Sequence, residues 1–267
     1  MKKRSVILSA FMILVFIFSG CSAIQKLNYK NKDFEFVNKN KLQKVVIQGT
    51  RDKGFRFLVK DEKTLENLYN SLSAATPVKE KSELEADYIF EFHGNDNTVR
   101  KYYYVAGVGD EENRGNFYDD KHTWYVLNRI DNEIIKNLLV LRKPTSFTTG
   151  YYGGIINLVK RVKQDYPDKG IAVMISEDNE MMKYHLSYEI MEFKRQLQEM
   201  GVELVRKNTD ADVVISIRTM GYNSSVIKLG ALVRDNVIRK EKSYYMKSDY
   251  KDREWIPKVF ENKPEDF

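Results

Sequence analysis

The stretch Gly107–Asp120, GVGDEENRGNFYDD, is the most oxygen-rich segment of the chain and could in principle bind a cation. With Asp110 as position 1 of a calcium-binding loop, Glu112 falls at position 3. The same register places Arg114 at position 5 and Lys121 at position 12, where Ca²⁺ needs oxygen donors. The pattern therefore fails, and we expect a solvated hairpin loop with no metal.

The histidines do not predict a metal centre either. His93, His122 and His185 are scattered along the chain. His185 and Glu189 have the i, i+4 spacing that shares one helix face, but zinc needs three or four ligands and no HExxH motif is present. We interpret His185 and Glu189 as a pair on a helix surface, and we predict neither a metal nor a cofactor.

Covalent chemistry is predicted at Cys21, the only cysteine of the chain. The basic residues Lys2–Arg4 precede the apolar run Val6–Phe18, a pattern typical of a secretory signal peptide and too short to span a bilayer comfortably. The small pair Ser19–Gly20 before Cys21 resembles a bacterial lipobox, where the cysteine receives a diacylglyceryl group. The alternative is an uncleaved anchor with an incidental cysteine.

Lipidation at Cys21 would place the protein on the extracytoplasmic face of the cell membrane. Two or more acyl chains, such as palmitate, anchor a protein stably, whereas one holds it only marginally. A mature chain starting at this residue has no thiol left for disulfides or catalysis. The formal net charge of +6 includes the basic residues of the signal peptide. Because the remaining charges are interspersed, we predict no nucleic-acid partner.

The sequence predicts two folded units after the signal peptide and a tether. The first folded unit covers residues 42–143. Residues 1–20 are the signal peptide, and residues 21–41, rich in Lys and Asn, are interpreted as a polar tether. Apolar alternation and helical spacing give the order β-β-α-β-β-β-α. The predicted strands are Val45–Ile47, Phe55–Val59, Tyr88–Phe92, Val99–Tyr104 and Thr123–Leu127, and the helices begin at Asp61 and Asp131.

The motifs LENLYNSL, DYIFEF, KYYYV and TWYVLN resemble the YhfM-like domain of Gram-positive lipoproteins. Asp87–Tyr88 fits the Asp-Tyr pair that opens a strand in that family, and Tyr125–Leu127 fits its Tyr-x-Leu strand. The resemblance covers Leu42–Leu141. It implies location and architecture only, because the family has no assigned activity and no catalytic residues carry over.

A second unit is predicted over residues 144–250, after a linker that begins at Pro144. The glycines of GYYGG, Gly150–Gly154, are interpreted as a hinge because they fit neither phosphate-binding spacing. A strand over Ile171–Ile175 then leads to one long helix, which Ser176–Asp178 should cap and Gly201 should end. One parallel crossover followed by antiparallel strands is expected.

The predicted fold class is α+β with two small domains. The first is a mostly antiparallel sheet with two helices, and the second is a sheet that starts as α/β and carries a long helix. Residues 251–267 are interpreted as a charged, loosely held C-terminal tail.

Two functions of different classes remain open. In the first, the chain is a non-enzymatic surface lipoprotein that binds a partner protein, a wall polymer or a small ligand. Its candidate binding surface consists of aromatic residues, most of them on the strand Val99–Tyr104. Successive side chains of a strand point to opposite faces, so one set of these tyrosines should be core and the other could remain exposed. In the second, it is a secreted hydrolase with a carboxylate-based site built from residues such as Glu91, Asp119 and Asp120. The residues of the candidate binding surface are Tyr102, Tyr103, Tyr104 and Trp124.

Overall fold

The computed structural model describes residues 30–38, 41–108, 114–127, 130–131, 135, 146–207 and 209–267. Within these ranges the chain forms two β-sheets with helices packed against them, so the fold is α+β with two domains, as predicted. No helix in the described ranges is both long enough and apolar enough to span a membrane. The elements of the first domain are a 3-10 helix (Lys32–Val37), β1 (Leu42–Gly49), β2 (Arg56–Val59), α1 (Glu62–Ser73), β3 (Thr76–Pro77), β4 (Tyr88–Gly94), β5 (Val99–Tyr104), β6 (Phe117–Tyr118) and β7 (Thr123–Tyr125).

The first sheet is antiparallel, with strand order β2-β1-β4-β5-β6-β7-β3. Alternate residues of β4, including Phe90 and Phe92, lie in the core, while the residues between them face outward. The N-cap of α1 is Asp61 as predicted, and its carboxylate accepts a hydrogen bond of 2.9 Å from the backbone N–H of Thr64. The sequence pattern thus predicted the central strands and this helix correctly.

The predicted tether is wrong over residues 32–37, which form the 3-10 helix. Phe34 and Val37 are fully buried in the core of the first domain. The ring of Phe34 lies 4.8 Å from that of Trp124, and the Trp124 Nε1–H donates to Asp33 at 2.9 Å. The many lysines around this segment are typical of a solvated spacer, and two apolar side chains are too few to outweigh them. The charge pattern therefore predicted a tether where the chain contributes to the core.

The second domain has a six-stranded sheet with order β13-β12-β11-β10-β8-β9. β8 pairs in parallel with both β9 and β10, and the other neighbours are antiparallel. The parallel crossover from β8 to β9 confirms the prediction, but the next strand, β10, is also parallel to β8, and antiparallel pairing begins only with β11. The elements are α2 (Phe147–Asp165), β8 (Ile171–Met174), α3 (Asn179–Met182), α4 (Ser187–Glu199), β9 (Val202–Val205), β10 (Val213–Tyr222), β11 (Val226–Asp235), β12 (Lys240–Lys251) and β13 (Glu254–Phe260).

The long helix predicted after Asp178 is wrong, because the chain forms two shorter helices, α3 and α4. Asp178 does not cap a helix with its side chain. Its carboxylate instead accepts hydrogen bonds from the Tyr151 hydroxyl at 2.7 Å and from the backbone N–H and hydroxyl of Thr219 at 3.0 and 2.8 Å. Asp178 is 1% exposed, so its hydrogen bonds to α2 and β10 replace those to water and fix this loop in place.

The predicted hinge and the predicted C-terminal tail are also wrong, and they contact each other. Gly150 and Gly154 lie inside α2, and residues 254–260 are the edge strand β13. A Cβ atom on Gly150 would stand 2.7 Å from the buried indole of Trp255. The Ser248 hydroxyl also donates to the Gly150 carbonyl at 2.9 Å. The glycines therefore allow close helix–sheet approach, which the sequence alone does not distinguish from a hinge.

Some predictions fall on residues outside the described ranges. They are the signal peptide, the lipidation site Cys21, the acidic positions Asp110 and Glu112, most of the helix expected after Asp131, and the linker residue Pro144.

Candidate binding site at the domain junction

Asp87 is the centre of the contact between the two domains. Its side chain is 1% exposed and accepts a hydrogen bond of 2.6 Å from Arg51 Nη1 of the same domain. The backbone N–H of Ala106 donates to it at 2.9 Å. From the second domain, the backbone N–H of Ser187 donates at 2.8 Å. Burial raises the pKa of the Asp87 carboxyl, while the guanidinium and the two N–H donors act in the opposite direction.

Ser187 is the first residue of α4, so the first domain provides a carboxylate to the N-terminus of a helix in the second. Helix N-termini leave backbone N–H groups without intrahelical partners and favour negative charge. Arg51 completes the contact, since its Nη2 donates to the Ser187 hydroxyl at 2.5 Å and its Nη1 to the His185 carbonyl at 3.1 Å. The Ser187 hydroxyl donates to the Glu85 carbonyl at 2.6 Å. We call Arg51, Asp87 and Ser187 the junction triad.

A second carboxyl lies beside the junction triad. Asp131 accepts hydrogen bonds from the backbone N–H of Gly107 at 2.8 Å and from the Tyr104 hydroxyl at 3.0 Å. Burial raises the pKa of this carboxyl to about 6. Gly107 has a φ of +72°, and a Cβ there would stand 2.3 Å from the ring of Tyr188. Only glycine allows both this backbone conformation and the close approach of the second domain.

The prediction of a helix-surface pair at His185 and Glu189 is wrong, because both side chains are buried. His185 precedes α4, and its Nδ1 lies 2.6 Å from the Tyr152 hydroxyl. Glu189 accepts hydrogen bonds from the Thr148 hydroxyl at 2.7 Å and from the backbone N–H of Leu186 at 3.2 Å. The i, i+4 spacing misled because it assumes a helix that already includes residue 185, whereas α4 begins two residues later.

A cleft of about 610 Å³ lies next to the junction triad, between the two domains. Its walls on the second domain include residues at or beyond the carboxyl ends of the parallel strands β8 and β9, the position where open α/β sheets bind ligands. The cleft combines an apolar wall with a few polar groups, which is the usual composition of a ligand site. The main lining residues are Arg51, Tyr103, Tyr118, Ile175, Ile190, Leu204 and Arg206.

Of the four residues predicted as an aromatic binding surface, three lie in the core. Tyr102, Tyr104 and Trp124 are at most 6% exposed, and the ring of Tyr102 stacks on that of Phe117 at 5.1 Å. Tyr103 points to the opposite face, as strand alternation requires. It is only half-buried and lines the cleft. The candidate surface is therefore corrected to Tyr103 and its new neighbours.

The neighbour of Tyr103 is Tyr118, in the stretch Gly107–Asp120. The prediction of a solvated loop is wrong at Phe117–Tyr118, because these two residues form β6 and Phe117 is buried. The two residues are directly paired across β5 and β6, and their rings stack at 5.5 Å with an interplanar angle of 21°. β6 is only two residues long, so it carries too little alternation to be recognised as a strand. The pair Tyr103–Tyr118 forms the first-domain wall of the cleft.

The three carboxylates considered for hydrolysis have other contacts. Glu91 forms an ion pair with Arg56 at 3.5 Å. Asp119 accepts hydrogen bonds from the backbone N–H groups of Lys121 and His122 at 2.8 and 2.6 Å, which closes the turn between β6 and β7. Asp120 is exposed. Over the described residues, no group of three or more His, Cys, Asp or Glu side chains could hold a metal ion.

Comparison with known protein families gives a match in the N-terminal half of the chain. Residues 38–144 match the family model described as YhfM protein. Neither the curated proteins nor the solved structures contain a match to the chain. The matched range includes Arg51 and Asp87, while Ser187 lies beyond it. The first of the two domains is therefore a YhfM-like domain.

Proposed function

We propose that this protein is a membrane-anchored extracytoplasmic lipoprotein that acts as a non-enzymatic binding module. The observation that carries the binding role is the cleft between the domains, with the half-buried Tyr103–Tyr118 pair on one wall and apolar side chains on the other. Part-exposed aromatic groups beside an apolar wall are typical of binding surfaces. The basic and apolar segments before Cys21 support the anchored location.

A binding role fits the site better than hydrolysis. General acid–base catalysis needs groups that can reach a bound substrate and exchange protons with it. Of the buried titratable groups near the cleft, Asp87 is held by Arg51 and by two backbone N–H groups, and His185 by the Tyr152 hydroxyl. Asp87 stabilises the contact between the domains, and the His185 ring is held inside the second domain, so the cleft is left with features for binding.

The anchored location predicts a clear effect of Cys21→Ala. Without the thiol there is no site for the diacylglyceryl group, and cleavage that requires the lipid cannot follow. We expect the variant to accumulate as unprocessed precursor without fatty acid. Metabolic labelling with a radioactive fatty acid, followed by gel analysis of membrane fractions, measures this. A matched Ser22→Ala variant should be processed and labelled normally. Label that persists in Cys21→Ala would contradict the proposed anchor.

A further inference from the structure

The outward face of the first sheet presents two lysines fixed on two tyrosine rings. The Lys101 ammonium lies 5.1 Å from the centroid of the Tyr103 ring, and the Lys81 ammonium lies 5.1 Å from that of the Tyr118 ring. The two rings stack on each other. Attraction between an ammonium group and an aromatic face restricts the position of an otherwise flexible lysine. We call these four residues the lysine–tyrosine ladder.

The two ammonium groups of the ladder have no carboxylate partner among the residues that the structure describes. Both lysines are exposed, and neither ammonium group forms an ion pair within the described part of the chain. The carboxylate across the strand pair from Lys101 is Glu91, and this carboxylate already contacts Arg56. A negatively charged ligand can therefore approach both lysines without displacing an ion pair between described residues.

The tyrosine rings hold the lysines in position and leave little room for stacking. Each ring already contacts one ammonium group, at 5.1 Å from its centroid, and the other ring, at 5.5 Å between centroids. A nucleic-acid base or a sugar ring needs a free aromatic face to stack on. Recognition at the ladder is therefore mainly electrostatic, through the two ammonium groups.

The shape of the surface around the ladder favours an extended polymer as the ligand over a planar membrane. Tyr103 and Tyr118 also line the cleft, where the second domain rises beside the sheet. A planar bilayer cannot follow this concave corner, whereas an extended polymer can. Because the two ammonium groups sit over separate rings on neighbouring strands, a ligand with repeated negative groups can engage both.

We propose that the lysine–tyrosine ladder binds a linear polymer of repeating phosphate groups, such as a phosphate-rich wall polymer. This inference rests on the proposed binding role and names its ligand class. Lysine is a common point-charge ligand for phosphate, and a phosphate chain releases counterions when it binds to cations. The inference does not depend on the lipid anchor, so each can fail without the other.

The test uses the full chain in a non-ionic detergent and linear polyphosphate as the probe. We expect binding to weaken as salt rises, and the double substitution Lys81→Gln with Lys101→Gln to reduce affinity about thirtyfold. The dependence of log K on log salt should lose about two units of slope. The matched double variant Lys160→Gln with Lys194→Gln removes exposed lysines from α2 and α4 and should bind normally.

Three results would overturn the inference. The first is equal affinity of the ladder variant and the matched control for polyphosphate. The second is wild-type binding that does not depend on salt, a measurement that requires no variant to fold. The third is binding of inorganic phosphate as tightly as of the polymer, which would indicate a site for the free ion. If any of these three results is obtained while fatty-acid labelling of the protein is normal, the proposed polymer ligand is rejected and the proposed membrane anchor is not.

Discussion

Replacing Asp87 with alanine is expected to lower the free energy of unfolding by about 3–5 kcal/mol. The substitution leaves the Arg51 guanidinium, whose side chain is only 12% exposed, without its carboxylate partner. It also leaves the backbone N–H groups of Ala106 and Ser187 without an acceptor. Breaking a buried, hydrogen-bonded ion pair by removing one partner is among the costliest single changes in a protein. Urea denaturation followed by circular dichroism measures the loss.

The matched control for Asp87→Ala is Glu85→Ala. Glu85 forms an ion pair of 2.8 Å with Arg206 across the same contact between the domains, but both side chains are mostly exposed. Exposed pairs contribute about 0–1 kcal/mol. If Asp87→Ala costs no more than Glu85→Ala, the junction triad does not stabilise the protein as described.

Replacing Phe34 with alanine is expected to cost about 3–5 kcal/mol, the usual loss for a fully buried phenylalanine. The ring is 0% exposed and contacts the rings of Trp124, Tyr102 and Phe117 at centroid distances of 4.8, 5.8 and 5.7 Å. Its removal leaves a cavity at the centre of an aromatic cluster. Thermal and urea denaturation of the variant measure the effect.

Phe36→Ala provides the control for Phe34→Ala, because Phe36 belongs to the same 3-10 helix but is only half-buried. We expect its substitution to cost clearly less. Equal and negligible effects of both variants would mean that residues 32–37 are a spacer, as the charge pattern indicated, and that the first domain begins only at β1.

Local patterns predicted the parts of the fold that have a strong period. The alternation at Tyr88, Phe90 and Phe92 identified β4, and the spacing of Leu65, Leu68 and Leu72 identified α1. Both features reflect one buried face of a regular element, which the sequence records directly. The 3-10 helix was not predicted, because its two buried side chains, Phe34 and Val37, are too few to form a recognisable pattern.

The site depends on contacts between residues that are far apart in the chain, and no local pattern records them. Asp87 was noticed as part of an Asp-Tyr pair, yet its partner Ser187 is 100 residues away. The tyrosine triplet showed that Tyr103 faces away from Tyr102, but burial alone decided which face is core. Only the strand pairing placed Tyr118 next to Tyr103.

The most direct test of the binding role is photo-crosslinking in living cells. A photoreactive amino acid replaces Tyr103 on the wall of the cleft in one strain, and Lys160 on the exposed side of α2 in another. Illumination should give a covalent adduct of increased mass at position 103 and none at position 160. No adduct at position 103, or equal adducts at both positions, would contradict the account that the cleft is the binding surface of this protein.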